Sequence, residues 1–184
     1  MTLPDFLVIG AGKAGTTSLY YYLRQHPQVY MSPTKETNFF ALEGQRVAFR
    51  GPGVEERINA WTITELSEYE RQFAGVRGER AVGEVCPLYL YSERAAERIK
   101  RHVPEVRLIA VLRDPAERAY SSFLMLRRSG REPLEDFAAA LEAEDRRVAG
   151  GWEYAWHYRR AGYYHEQLSR YYALFDPAQI RVYL

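Results

Sequence analysis

Nine residues near the N-terminus concentrate anion-binding chemistry: Gly10-Ala11-Gly12-Lys13-Ala14-Gly15-Thr16-Thr17-Ser18. Glycines let a backbone come close to a ligand, and free N–H groups at a helix start favour negative charge. Lys13 adds a full positive charge, and Thr16, Thr17 and Ser18 add hydroxyl donors. The Gly10-to-Gly15 spacing matches a nucleotide phosphate loop, but that motif needs its lysine after the second glycine. Here Lys13 stands two residues before Gly15, where it can reach the bridging atom of a bound phosphate-like group. A second anion element runs from Arg113-Asp114-Pro115 to Ser121. Arg113 offers a bidentate fork to a phosphate, with a carboxylate as the competing partner. Ser121, two turns into the following helix, adds a hydroxyl from the same side.

Both elements need a strand before them and a helix after them. Phe6-Leu7-Val8-Ile9 reads as a buried strand, followed by a helix marked by Leu19, Tyr22 and Leu23 and ended at His26-Pro27. Val106 to Leu112 is the strongest strand, apolar enough to be a central parallel strand covered on both faces. Asp114 caps the next helix, with Pro115 in its first position and Gly130 at its end. Between these elements, short strands are predicted at 28–31 and 81–85. Residues 43–60 read as a long surface loop. Helices are predicted over 64–73, capped by Thr64, and from Ser92 to about His102. Further on, one helix is predicted over 133–148 and another over 163–175, its buried side marked by Tyr164, Leu168, Tyr171, Tyr172 and Phe175. A last strand covers 179–184. Strands alternating with helices imply an α/β fold with a parallel sheet, and ligands of such sheets bind beyond the carboxyl ends of the strands.

The 184 residues are read as a single domain, and the 47% hydrophobic content argues against disorder. A formal net charge of +1 gives no broad basic field, so nucleic acid is not an expected partner. Only three lysines occur: Lys13, Lys35 and Lys100. A single cysteine, Cys86, excludes an internal disulfide and fits a reducing compartment. No apolar run reaches the ~18 residues of a membrane span, and a strand starting at about residue 5 leaves no room for a signal peptide. The chain is therefore read as cytoplasmic, without a transmembrane segment. The four histidines are scattered and no metal is expected.

These residues resemble a known family. The Gly-Ala-Gly-Lys-Ala-Gly-Thr-Thr-Ser loop is similar to the 5′-phosphosulfate loop of sulfotransferases that use 3′-phosphoadenosine 5′-phosphosulfate (PAPS). Arg113 through Ser121, about a hundred residues later, resembles their 3′-phosphate element. The nearest likeness is to the heparan sulfate N- and 3-O-sulfotransferase branch and its bacterial relatives. Glu36-Thr37-Asn38-Phe39-Phe40 looks like that branch's Glu-x-x-Phe-Phe segment, whose glutamate is the catalytic base. Gly83-Glu84-Val85 with Tyr89, Gly162-Tyr163-Tyr164 and the strand Ile180-Arg181-Val182-Tyr183 also align. Val85 stands where the branch usually has lysine, and Asn38 where the 3-O enzymes have histidine. Those positions handle the glycan acceptor there, so the departures point away from heparan sulfate itself.

The resemblance implies a P-loop-like sulfotransferase fold covering nearly the whole chain. The family's C-terminal part, with further 3′-phosphate contacts and usually a lid, is expected to be missing. It implies Lys13 and Glu36 as catalytic residues. Lys13, Ala14, Gly15, Thr16, Thr17, Ser18, Arg113 and Ser121 would bind PAPS and its product adenosine 3′,5′-bisphosphate. Glu84 is the substitute base. The acceptor would be a carbohydrate, a lipid or a small molecule. The aromatics Trp61, Trp152, Tyr154, Trp156 and Tyr158 could stack on it or could equally be core. Two other readings stay open: a nucleotide kinase or NTPase, and a non-catalytic sulfotransferase-like binding module.

Overall fold

The computed structural model describes residues 3–184. Five strands, β1 (Phe6–Gly10), β2 (Val29–Met31), β3 (Ala81–Val85), β4 (Arg107–Val111) and β5 (Ile180–Tyr183), form one sheet in the order β2-β3-β1-β4-β5. Every pairing is parallel. The helices are α1 (Thr16–Arg24), α2 (Phe39–Leu42), α3 (Ile58–Trp61), α4 (Leu66–Arg71), α5 (Leu88–Tyr91), α6 (Ala95–His102), α7 (Pro115–Arg128), α8 (Phe137–Glu142), α9 (Glu144–Ala149) and α10 (Tyr164–Tyr172). No helix among the described residues is long and apolar enough to cross a membrane.

The middle strand is β1, buried along its whole length, and β4, the strand that sequence favours as central, lies beside it, paired in parallel on both edges. In β4 burial alternates: Leu108 and Ala110 are inaccessible, while Ile109 and Val111 are half-buried. Phe6 and Gly83 are register partners, and a Cβ at position 83 would overlap the Phe6 ring. Glycine is therefore what lets β1 and β3 close over that aromatic. One apolar cluster packs Leu7, Ile9, Leu108 and Ala110 against Phe39, Phe40, Tyr69 and Tyr89. A smaller one under α1 gathers Phe6, Val8, Tyr20, Met31 and Val85. The third joins α7 to the chain beyond it through Phe123, Leu126, Trp156 and Tyr158.

Parallel order sends the segments after β1, β2, β3 and β4 off the same rim. Ala11 N–H donates to Val111 O at 2.6 Å, Cys86 N–H to Val8 O at 3.0 Å and Glu36 N–H to Val85 O at 3.0 Å. The two anion elements and the Glu36 segment thus begin within one hydrogen-bonded edge, where α/β sheets hold ligands.

Several local expectations are corrected. Tyr22 and Tyr172 face solvent; Tyr20 and Gln167 are buried instead. The 64–73 helix spans Leu66–Arg71, with no side-chain cap at Glu65 in place of the expected Thr64. The helix after Ser92 starts at Ala95. The 133–148 helix is two helices meeting at Ala143, because Glu144 turns inward to accept the Arg159 and Arg160 N–H groups at 2.8 and 2.9 Å. Residues 43–60 are a fastened strap: Asn59 bonds both the N–H and the carbonyl of Phe49, and Arg50 bridges to Trp152. Such bonds depend on partners distant in sequence, which local pattern does not encode.

Candidate active site

The turn after β1 enters α1 through Gly15 at φ 93°, a backbone region where glycine carries little strain. No side chain caps α1 and no acidic residue sits in its first turn. Its opening N–H groups and positive dipole end are left for a ligand anion. Thr16 is buried, whereas Thr17 and Ser18 are exposed. A cavity of about 410 Å3 opens beside the loop, lined by Lys13, Gly15, Thr16, Thr17, Glu36 and Ser121 among others. A second cavity of about 550 Å3 is lined by Lys13, Arg113, Glu117, Ser121 and Arg128. Lys13, Ser121 and Met125 line both, so the cavity beside the loop and the cavity beside Arg113 adjoin. Ala14 and Ser18 line neither.

Burial pushes the Lys13 ammonium below the ordinary lysine value; Glu36 opposes that shift, and Arg113, Arg128 and Lys35 add to it. A site where cations depress one another is one that an arriving anion relieves.

Arg113 is not free. Its Nε and Nη2 donate to Glu117 Oε2 at 3.1 and 2.9 Å, one helical turn ahead. Both side chains are well exposed, so this is a solvated pair that an anion can displace or share. Asp114 caps α7 as expected, accepting the Glu117 N–H at 2.9 Å.

Glu36 stands at φ 64° and Asn38 at φ 61°, and Lys13 stands at φ 70°. Non-glycine residues avoid this region, and clusters of such strain mark sites that the fold over-determines. What holds the Glu36 segment is beneath it. Glu84 is inaccessible and accepts from Thr37 Oγ1, Tyr69 OH at 2.7 Å and Tyr89 OH at 2.8 Å. Burial raises the Glu84 carboxyl above the ordinary glutamate value, and the three hydroxyls partly offset this. Glu84 is therefore an anchor under Thr37 and does not line either cavity. Lys35 Nζ bonds Glu36 Oε1, and among the described residues nothing bonds Oε2. Asn38 bonds Thr62 through Nδ2 at 3.2 Å, and Val85 is core.

Sequence reasoning missed three arginines here. Arg118 lines the loop cavity, is 4% exposed and donates to Tyr158 O from Nη2, while its Nε has no partner among the described residues. Burial pushes its guanidinium down, with Tyr164 and Glu144 opposing. Arg131 pairs with Glu153 in a buried ion pair and lies 4.7 Å from the Trp156 ring centroid. Arg57 lines the same cavity from the 43–60 strap. Arg118 lies inside the motif stretch, so its spacing was visible. Arg57 and Arg131 carried no local signal. Trp156 and Tyr158 are fully buried, so only Trp61 of the expected stacking aromatics is well exposed; Trp152 and Tyr154 are half-buried. Among the described residues no group of three or more His, Cys, Asp or Glu has metal-holding geometry.

The family model described as Sulfotransferase family matches residues 4–180. A crystal structure of a sulfotransferase from Alicyclobacillus acidocaldarius superposes with a TM-score of 0.93 at 40% identity, over 100% of this chain and 74% of that one. The membrane-associated sulfotransferase kil1 of Dictyostelium discoideum is 32% identical over 139 residues, 73% of this chain and 26% of that protein. The bifunctional heparan sulfate N-deacetylase/N-sulfotransferase 3 of Mus musculus is 27% identical over 98% of this chain and 20% of its own length. The chain thus spans about a quarter or less of these two relatives. With a family match over nearly its whole length and a parallel sheet that superposes on a solved member, the chain belongs to the sulfotransferase family.

Proposed function

We propose that this chain transfers a sulfuryl group from PAPS to a hydroxyl or amine of a carbohydrate, lipid or small-molecule acceptor by in-line displacement. The observation that carries the reading is the pair of adjoining cavities with Lys13 and Ser121 in their common wall, one beside the glycine loop and the other beside Arg113. Two separated cationic ends suit a donor with phosphate at both ends of one adenosine, and the uncapped start of α1 suits its 5′ end.

PAPS supplies the transferable sulfuryl group. Gly15, Thr16, Thr17 and Ser18 hold the 5′-phosphate through backbone N–H groups and hydroxyls, beside Ala14. Arg113 and Ser121 hold the 3′-phosphate, which separates this donor from ATP. Lys13 neutralises the charge that grows on the bridging oxygen as its bond to sulfur breaks. Glu36 accepts, through Oε2, the proton released as the acceptor oxygen or nitrogen bonds to sulfur. Positioning and electrostatics carry this chemistry, as in phosphoryl transfer.

Calorimetry with adenosine 3′,5′-bisphosphate, AMP and ATP–magnesium tests the reading. The bisphosphate is expected to bind one per chain and well above the other two. Equal or tighter binding of ATP–magnesium overturns the assignment.

A further inference from the structure

α2 is a single turn, Phe39–Leu42, which leaves its last carbonyls without partners inside the helix. A helix that short does not hold itself. The chain entering it carries two non-glycine residues in the left-handed region, Glu36 at φ 64° and Asn38 at φ 61°. Backbone of this kind persists only where its surroundings over-determine it. On the near side Glu84 holds Thr37. On the far side the hold comes from α6.

Arg98 sits in the middle of α6, its side chain 13% exposed. Its Nη1 donates to Phe40 O at 3.2 Å and to Ala41 O at 2.7 Å, and its Nη2 donates to Glu43 O at 3.0 Å. The approach of Nε to Glu43 Oε2 is longer, at 3.6 Å. That carboxylate is taken up by Arg101 Nη2 at 2.5 Å and His102 Nε2 at 2.8 Å. The Arg98 fork is therefore turned to the backbone of α2 rather than to an acid. α6 is itself seated in the core by Ala95, Ala96 and Ile99, so the fork ties α2 to a fixed element. Arg98 lines neither cavity beside Lys13.

We propose that Arg98 is a positioning residue for the transfer step. It fixes α2, and through α2 the left-handed Glu36 backbone, so that the Glu36 carboxylate stays in the wall of the loop cavity. Arg98 touches no reacting atom and keeps its proton throughout. Lysine at this position would keep the charge but not the planar fork that reaches three carbonyls. The effect on rate rests on the sulfotransferase reading, but the clamp itself needs no donor.

The test uses the full chain. Amide hydrogen exchange reads the segment directly, because Glu36 N–H is bonded to Val85 O and the Ala41 and Leu42 N–H groups to Asn38 O. The variants are Arg98→Ala and, as a control, Arg127→Ala, which removes a different arginine–carbonyl bond, to Glu132 O at 3.0 Å. Arg98→Ala is expected to speed exchange over 36–42 by about tenfold or more through local opening. Exchange over 10–18 should stay as in wild type, and Arg127→Ala should change neither segment. Transfer of label from ³⁵S-PAPS is then followed into a glucosamine tetrasaccharide, which offers both hydroxyls and amines. Arg98→Ala is expected to lower kcat by ~10–10²-fold, the scale of a misplaced reacting group, with bisphosphate affinity unchanged by calorimetry. In a Glu36→Gln background the same substitution should change the residual rate less than about threefold, because residues acting as one unit are not additive. The full loss in both backgrounds, or a rise in exchange shared by 10–18, marks general destabilisation and overturns the proposal. Unchanged exchange over 36–42 overturns it even where kcat falls. Arg98→Lys carries the same measurements where Arg98→Ala does not fold. Faster exchange over 36–42 in a chain that binds no bisphosphate supports the clamp and defeats the donor reading instead.

Discussion

Glu117 occupies the guanidinium assigned to the 3′-phosphate, so Glu117→Gln should tighten donor binding. Arg113 gives Glu117 two hydrogen bonds, at 3.1 and 2.9 Å, but both side chains are largely in solvent. Releasing such an i,i+4 pair costs ~0.3–0.5 kcal/mol. A phosphate on Arg113 would sit roughly 6 Å from the Glu117 carboxylate, where two unit charges in water repel by ~0.7 kcal/mol. A doubly charged phosphate doubles that, and screening over a Debye length of ~8 Å at physiological salt removes about half. The substitution therefore gains ~1 kcal/mol, or about fivefold in affinity. It also removes an acidic residue from the first turn of α7, which lowers stability by ~0.3–1 kcal/mol without touching the site. The assay is calorimetry of wild type and Glu117→Gln with adenosine 3′,5′-bisphosphate and with AMP, at low and high salt. The bisphosphate should gain about fivefold at physiological salt, more at low salt and less at high salt, while AMP should not change. An equal gain for AMP, or weaker bisphosphate binding in the variant, refutes the placement of the 3′-phosphate at Arg113.

Lys13→Ala should lower kcat by roughly 10²–10³, the scale of one preorganised donor at developing charge, with bisphosphate still bound by calorimetry. Because burial and neighbouring cations hold Lys13 below the ordinary lysine value, its charge is complete only at pH below that lowered pKa. Donor affinity should be full there, fall as pH rises through it, and lose that alkaline fall in Lys13→Arg, as read by titrations across pH. Glu84→Leu leaves the Thr37, Tyr69 and Tyr89 hydroxyls without their carboxylate and should cost roughly 3 kcal/mol in urea unfolding. Burial raises Glu84, so between the ordinary glutamate pKa and the raised one the native state binds more proton than the unfolded chain. Its contribution is greatest at acid pH and falls as pH rises from the ordinary glutamate range through the raised pKa; Glu84→Gln should flatten that slope.

The sheet was legible because its signals are local. An apolar run before a glycine turn gives β1, and Asp114-Pro115 gives the start of α7. Lys13 and Ser121 were legible as a pair because one element type, strand then helix, repeats, and parallel order brings both repeats to one rim. Their common wall required the pairing of β1 with β4, which spacing alone does not fix. The break at Ala143 was hidden because Glu144 answers to Arg159 and Arg160, far along the chain. Arg57 and Arg131 enter the site only through the fastened 43–60 strap and its neighbours, where no periodicity exists to read. The positive φ values at Lys13 and Glu36 are likewise set by surrounding contacts such as the Glu84 hydroxyl cluster, not by residue type.

The central claim is that Glu36 removes a proton while the loop and Arg113 hold the donor. It is tested most directly by following label from ³⁵S-PAPS into an oligosaccharide acceptor with wild type and Glu36→Gln, beside bisphosphate calorimetry of both. The account predicts transfer by wild type, a rate at least about a hundredfold lower in Glu36→Gln, and equal bisphosphate affinity in the two. Undiminished transfer by Glu36→Gln would contradict it.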